Sequence, residues 1–403
     1  MLSANIEKQK LKDLFILYKP KYFFGPTNIL IELTNSREFW TKYGYSLAEF
    51  SEKSNVLISP DLKMLLPTSG STGNPCFVRL SSKNLDANST AIRKYLDLTR
   101  LDRAITTLPF NYSYGISIIN THLSAGGSIF LNERSVLTRE FWLNLNKSSA
   151  SHFAGVPFTY ENLRRYKNEL IDQSTLRVFT QAGGKLAPEI ISEFASKCNR
   201  VGKKFYVMYG QTEATARITY LPPEIVAQKP ESIGIPIPGG SVELWDENGE
   251  NVTEINTEGE LIYRGDNVSH GYAYSLNDLA SGDENFGVLK TGDIAVFDID
   301  GFLYLRGRKN RFAKVFGLRI NLIDLESFFL KLGFVVISID VDGTLCLITL
   351  DRELDTTNLR DLAAKYLNIH KSGIEVRWFA FVPRNDSGKI QYRELVQIWK
   401  SQF

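Results

Sequence analysis

The stretch LPTSGSTGNP at 66–75 gathers Thr68, Ser69, Ser71 and Thr72 around Gly70 and Gly73, directly after an apolar run. Glycines let a backbone approach a ligand closely, and consecutive N–H groups with hydroxyls wrap phosphate oxygens. The segment therefore has the chemistry of a phosphate loop, although a Ser/Gly-rich surface loop shares its composition. It is not a Walker loop, because no Gly-Lys-Ser/Thr follows, and no G-x-G-x-x-G after a strand marks a dinucleotide site. A second cluster, YGQTEA at 209–214, follows the apolar run 205–208 and puts Thr212 and Glu213 where a strand end meets a turn. A carboxylate beside a hydroxyl there suits a magnesium ion that bridges phosphate oxygens, since Mg²⁺ prefers hard oxygen ligands. The plain alternative for Glu213 is a charge at a helix N-terminus. Further on come GELIYRG at 259–265, Thr-Gly-Asp ending in Asp293, the pair Gly307-Arg308, GLRI at 317–320, and NDSGKI at 385–390 with Lys389.

The chain that must position these residues has 403 of them, 43% hydrophobic and 23% charged, which suits two or three globular domains. Forty-seven Lys+Arg against 45 Asp+Glu leave +2, so no global field draws it to nucleic acid or an anionic membrane. Cys76, Cys198 and Cys346 form no C-x-x-C, and an odd, scattered count suits a reducing cytoplasm. The four histidines are dispersed without metal-ligand spacing. The N-terminus is too charged for a signal-peptide core, and no run has the length of a transmembrane segment. A cytoplasmic enzyme is the expectation.

Ser81, Ser82 and Asn84 offer N-caps for a helix over 85–100. Apolar runs at 104–108, 127–131 and 176–180 predict buried strands, with helices over 139–145 and 188–200 between or after them. That alternation implies parallel βαβ units. From 233 onward short strands at 241–245, 259–264, 294–298 and 302–306 are separated by turn residues, with Asp300-Gly301 as a hairpin signal. Beyond Arg308 a helix over 321–332, strands at 335–341 and 344–350 and a helix over 358–367 make a small α+β unit. The fold class expected is α/β. A large N-terminal domain, 1–307, carries an added β-rich part at about 233–307, and a small α+β domain, 308–403, carries Lys389, with the boundary near 307–311.

Taken in order, TSGSTGNP, YGQTEA, GELIYRGDNVSHGY, TGD, GR followed by KVFGLRI, and the final SGK resemble the signatures of the adenylate-forming, AMP-binding superfamily of acyl-CoA synthetases, peptide-synthetase adenylation domains and luciferases. The resemblance implies an AMP-forming acid–thiol ligase. A carboxylate attacks the α-phosphate of ATP to give an acyl-adenylate and pyrophosphate, and the thiol of CoA or of an acyl carrier protein's phosphopantetheine arm then takes the acyl group. It also implies a C-terminal domain that rotates between the two half-reactions. Carried over by motif position, Thr68, Ser69, Gly70, Ser71, Thr72 and Gly73 hold the β/γ-phosphates. Gly183, Gly184, Tyr209 and Gly210 border the adenine, Thr212 meets the α-phosphate, and Glu213 binds Mg²⁺. Asp293, helped by Arg308, takes the ribose hydroxyls, and Lys389 reaches the α-phosphate from the C-terminal domain.

Three departures matter. The phosphate loop begins at residue 68, so the chain resembles an N-terminally shortened member whose acyl pocket or dimer face a carrier protein or a second copy in a homodimer would cover. Cys76 replaces the lysine usual after the loop's proline, and Arg79 is a candidate to compensate. The hinge register falls on Arg311, after Lys309 and Asn310. The acyl pocket begins at Asn111, Tyr112 and Gly115; Tyr114 either lines it or fills core. Amino-acid-activating members carry an Asp at the place of Asn111, so a neutral residue there disfavours a substrate ammonium. Gly317 sits in the stretch that resembles the thiol-tunnel wall, and Lys309, Arg311, Lys314 and Arg319 form either a carrier-protein contact or a solvated face. The alternative to catalysis is a relic that binds nucleotide or a partner without turnover, or an enzyme that passes the acyl group to an amine.

Overall fold

The computed structural model describes residues 1–3, 6–30, 36–50, 56–67, 76–164, 171–173, 175–309, 311–316, 318–384 and 390–401. A seven-stranded sheet forms the centre. Its order runs Ile235–Pro236, Thr219–Leu221, Lys204–Tyr209, Val178–Gln181, His152–Gly155, Arg103–Ile105, Ser128–Phe130. The last five are parallel, and the first two are added antiparallel at one edge. Parallel strands are covered on both faces, and accordingly every residue of His152–Gly155 and of Val178–Gln181 is buried. The Pro188–Arg200 helix packs one face with Ile190, Ile191, Phe194, Ala195 and Cys198, the spacing of an amphipathic helix.

The first long helix runs Ser82–Leu96, earlier at both ends than the sequence pattern predicts. Ser81 Oγ accepts the Asn84 N–H at 3.1 Å while the Asn84 side chain accepts the Ser81 N–H at 2.9 Å. This reciprocal pair satisfies two orphan donors and fixes the start, and Asp97 in the left-handed region ends the helix.

The β-rich part is a four-stranded antiparallel sheet of Ser241–Trp245, Gly259–Arg264, Val288–Phe297 and Leu303–Arg308. The third strand is longer than the predicted 294–298, so Asp293 stands within it and pairs in register with Arg308. The hairpin at Asp300-Gly301 is built as expected, with Asp298 Oδ1 accepting the N–H groups of Asp300 and Phe302. Beyond it, Val336–Val341, Thr344–Thr349 and Ile374–Trp378 form a three-stranded sheet flanked by the Leu322–Lys331, Thr356–Leu367 and Tyr392–Ser401 helices. Buried apolar residues up to Leu303 and those from Ala313 onward fall into separate clusters. Among the described residues no helix is long and apolar enough to cross a membrane.

In a smaller sheet, Phe77–Ser81 lies between Leu62–Pro67 and Tyr272–Ala273. Arg79, 1% exposed, points from it into the 270–284 segment. Its guanidinium donates to the carbonyls of Tyr272 (3.0 Å), Ser281 (2.6 Å), Gly282 (3.0 Å) and His270 (2.7 Å) and pairs with Glu284 at 2.8 Å. All its donating groups are thus engaged with protein. Arg79→Met should lower stability by about 3 kcal/mol or more, because several buried carbonyls lose their donor at once. Chemical denaturation of both proteins measures this.

Candidate active site

Thr68, Ser69, Gly70, Ser71, Thr72, Gly73, Gly317 and Lys389 lie outside the described residues. The strands on either side of the 68–75 segment are antiparallel neighbours, with Pro67 paired to Phe77.

Of the other expected nucleotide residues, Tyr209 and Arg308 meet at the carboxylate of Asp293, which is 7% exposed. Arg308 Nε donates to its Oδ1 at 2.8 Å. Its Oδ2 accepts from Tyr209 Oη at 2.5 Å and from Gln211 Nε2 at 2.8 Å, and Gln211 also reaches the Thr291 carbonyl at 3.0 Å. Burial and the neighbouring Asp293 charge drive the Tyr209 phenol well above its ordinary range, so it remains a donor. A carboxylate has about four lone-pair sites, so three donors leave room for one more, which is the capacity a ribose hydroxyl requires.

Thr212–Ala214 forms a single 3₁₀ turn after the Lys204–Tyr209 strand. The chain doubles back immediately, with the Ile218 N–H returning to the Tyr209 carbonyl at 2.9 Å. A side chain at Gly210 would collide with the Ala216 carbonyl, so only glycine fits the crossing. Asn267 locks this loop from the β-rich side. Its Nδ2 donates to the Ala214 (2.8 Å) and Arg217 (2.9 Å) carbonyls, and its Oδ1 accepts from Tyr263 Oη at 2.7 Å. Glu213 is held at both ends: its carbonyl accepts the Ser269 N–H at 2.8 Å, and its Oε1 accepts Tyr272 Oη at 2.9 Å. Thr212 Oγ1 donates to Ser113 Oγ at 3.2 Å. Among the described residues no group of three or more His, Cys, Asp or Glu gathers as a metal cluster. A lone Glu213 carboxylate beside a hydroxyl fits Mg²⁺, which usually takes one or two carboxylates and draws its other oxygens from phosphates and water.

On the acyl side, Asn111 is half-buried in the turn before the Ser113–Ser124 helix, and Tyr112 caps that helix. Gly183 takes φ +90° with no room for a side chain against Tyr112 Oη, and Gly184 lies beside Pro157. Tyr114 is core: 2% exposed, its hydroxyl donates to the Thr180 carbonyl at 2.9 Å. Gly115 offers no side chain to a ligand, and the Pro109 carbonyl occupies the space where one would stand.

Two expectations are corrected. Arg79 cannot stand in for the missing phosphate lysine, because its guanidinium is consumed by the carbonyls of 270–284. Of the basic cluster near the hinge, Lys309 and Arg311 are not free cations. Lys309 pairs with Glu260 at 3.0 Å, and Arg311 pairs with Glu326 at 2.5 Å while stacking over Tyr392 at 3.9 Å. Cys76 is half-buried, and burial with the nearby charge of Glu213 raises its thiol, as befits a residue with no nucleophilic task. Sequence reasoning passed over Gln211, although it stands inside YGQTEA, and Asn267, whose signal was an asparagine in the glycine-bounded run GDNVS.

The model of the family described as AMP-binding enzyme matches residues 18–273. The chain is 29% identical over 352 residues to an oxalate–CoA ligase of Arabidopsis thaliana, covering 84% of this chain and 67% of that protein. It is 27% identical over 353 residues to an L-proline–[L-prolyl-carrier protein] ligase of Streptomyces coelicolor, covering 83% and 66%. The curated relatives it matches are longer, and it spans 51–68% of their length. Among solved structures it resembles the O-succinylbenzoate coenzyme A synthetase of Bacillus subtilis in complex with ATP and magnesium ion. The TM-score is 0.69 at 23% identity, covering 86% of this chain and 73% of that one. That likeness shows the shared fold.

Gly210→Ala should cost roughly 1–3 kcal/mol of stability, because the loop carrying Thr212 and Glu213 must open away from Ala216. A urea melt of the variant beside wild type gives the number.

Proposed function

Because the chain belongs to the AMP-binding enzyme family, we propose that it is an ATP- and Mg²⁺-dependent ligase that converts a carboxylic acid to an acyl-adenylate with release of pyrophosphate. It then passes the acyl group to the phosphopantetheine thiol of CoA or of a carrier protein. The observation that carries this reading is the Asp293 cluster: a buried carboxylate, oriented by Arg308, Tyr209 and Gln211, with hydrogen-bonding capacity left over. In this reading Asp293 orients the ribose, and the glycine-lined edge at Gly183 admits the flat adenine. Thr212 donates its one hydroxyl hydrogen to Ser113 Oγ, and a bound α-phosphate would draw that hydrogen to itself. Glu213 uses Oε1 to hold Tyr272 and keeps Oε2 for the cation. Bound Mg²⁺ would neutralise charge on the phosphate oxygens. Mostly positioning and charge neutralisation are needed, which is what these residues supply.

The proposed bodies, 1–307 and 308–403, meet at a natural pivot. The Lys309 N–H is tied to the Gly292 carbonyl at 2.7 Å and its ammonium to Glu260. Two residues on, Arg311 is tied to the Ser338 carbonyl at 2.8 Å and to Glu326. A rotation that absorbs its change within so short a stretch would carry the 385–390 segment, and Lys389 with it, toward or away from the α-phosphate. Three free cysteines, with Cys198 and Cys346 buried, suit a reducing cytoplasm.

Pyrophosphate release from ATP, measured across a panel of carboxylic acids, tests the reading. One acid or a narrow set should drive release, and Lys389→Ala should lower kcat by about 10²–10³-fold, the scale of removing one transition-state charge donor. Release that ignores the acid, or a variant as fast as wild type, would overturn it. Adding CoA or carrier protein then identifies the acceptor.

One observation favours a second reading, a nucleotide-binding relic: the phosphate-side charge lost at Cys76 is not restored by Arg79, which is committed elsewhere. If the protein is instead an enzyme with a weakened phosphate grip, Cys76→Lys should lower the KM for ATP. Unchanged KM would mean that position 76 carries no phosphate contact.

A further inference from the structure

Glu213 is gripped by one short segment, 269–272. The Ser269 N–H donates to its carbonyl at 2.8 Å. Tyr272 Oη donates to its Oε1 at 2.9 Å, the direction being fixed because a carboxylate only accepts. The Tyr272–Ala273 strand pairs with Phe77–Ser81, Tyr272 standing opposite Val78. The bracket on Glu213 therefore borders the strand that leaves the 68–75 segment.

One residue of that strand sets the bracket. Arg79 holds three successive carbonyls: Nη2 takes His270 at 2.7 Å, the main-chain N–H takes Gly271 at 2.9 Å, and Nε takes Tyr272 at 3.0 Å. The His270 N–H returns to the Arg79 carbonyl at 2.9 Å. Gly271 has φ +110°, and a Cβ there would strike Glu284 Oε2 and Arg79 Nη2, so only glycine lets the segment lie this close. At the other end Asn285 Nδ2 holds the Ser269 carbonyl at 2.9 Å. The Tyr272 side chain itself is not driven to this partner by burial: the residue is 37% exposed, and water can satisfy such a hydroxyl. Its main chain is fixed by Arg79 and its hydroxyl by Glu213, and a phenol has few torsions with which to depart from that line.

We propose that Tyr272 is a positioning residue for Glu213. By occupying Oε1 it holds the carboxylate in one orientation and leaves Oε2 for the cation, and Arg79 sets where Tyr272 stands. This rests on the reading of Glu213 as the Mg²⁺ ligand. Mg²⁺ demands near-ideal octahedral geometry, so a ligating oxygen that wanders loses affinity. Groups that orient a ligating side chain commonly carry roughly 10–100-fold in metal affinity. Arg79 thus serves the nucleotide site without touching phosphate: it ties the strand leaving the phosphate loop to the carboxylate through Tyr272.

Calorimetric titration with MgATP, and with ATP in EDTA, tests this without turnover on wild type, Tyr272→Phe, Tyr274→Phe and Glu213→Gln. Wild type should bind MgATP more tightly than metal-free ATP, and Glu213→Gln should close that gap. Tyr272→Phe should weaken MgATP by roughly 10-fold while binding metal-free ATP as wild type does, a split that a merely structural loss would not produce. Tyr274→Phe removes a like hydroxyl from a ring 6.0 Å away and should leave the gap unchanged. A gap closed by Glu213→Gln but untouched by Tyr272→Phe would overturn the proposal and leave the metal reading standing. Equal weakening of both nucleotide forms in Tyr272→Phe, or an equal narrowing by Tyr274→Phe, would also overturn it. No gap in wild type overturns the metal reading and the proposal together. The expected pattern in a protein that releases no pyrophosphate with any acid keeps the proposal and sinks the ligase reading.

Discussion

A buried carboxylate must be met by donors or it does not stay buried, and Asp293 is met from three directions. Tyr209 and Gln211 come from the end of the parallel sheet, and Arg308 comes from the last strand of the β-rich part. Charge-assisted bonds of this kind are roughly twice as strong as neutral ones and are directional. The cluster thus fixes the strand end that carries Thr212 and Glu213 against the sheet that leads to the 309–311 stretch. Asn267 repeats the logic with a neutral amide, spending both its hydrogens on the carbonyls of the 214–217 turn. The site is assembled where two sheets are stitched together by polar groups, and its geometry is only as firm as those stitches.

The same cluster bears on motion. The Gly292 carbonyl, next to Asp293 in the chain, holds the Lys309 N–H, so the N-terminal side of the proposed pivot hangs from the strand that carries Asp293. Arg311, by contrast, is fastened to residues that follow it in the chain, Ser338, Glu326 and Tyr392. Hinge residues absorb φ/ψ change, and their neighbours must be clamped for a rotation to be rigid. Clamps on 309 and 311 meet that demand, and in the proposed rotation Arg311 would serve as the anchor on the C-terminal side.

Much of this was legible in the residue order. Asp300-Gly301, the 188–200 helix and the alternation of strand and helix follow from local chemistry and periodicity, which act over a few residues. The motif residues Tyr209, Asp293 and Arg308 were also readable, and they do converge. What could not be read depends on contacts between distant segments. Arg79 stood close enough to the phosphate loop in sequence to pass for a replacement charge, yet its partners are nearly two hundred residues away. His122 and His152 looked scattered because thirty residues separate them, and only the packing of the Ser113–Ser124 helix on the sheet brings their rings into contact. The start of the Ser82–Leu96 helix was misplaced because two of the three candidate caps act together, Ser81 as cap and Asn84 as its reciprocal partner.

Arg217, unremarkable in sequence, is a buried cation inside the core, with no carboxylate partner among the described residues. Its guanidinium lies 4.0 Å over the ring of Tyr114, whose hydroxyl is in turn tied to the Thr180 carbonyl at 2.9 Å. Retaining such a guanidinium in a core costs stability, and a hydrophobic residue of similar volume would commonly serve packing as well or better. The charge is softened by a ring face and by dipoles in place of an anion, so the core around the Ser113–Ser124 helix is held by polar contacts as much as by apolar packing.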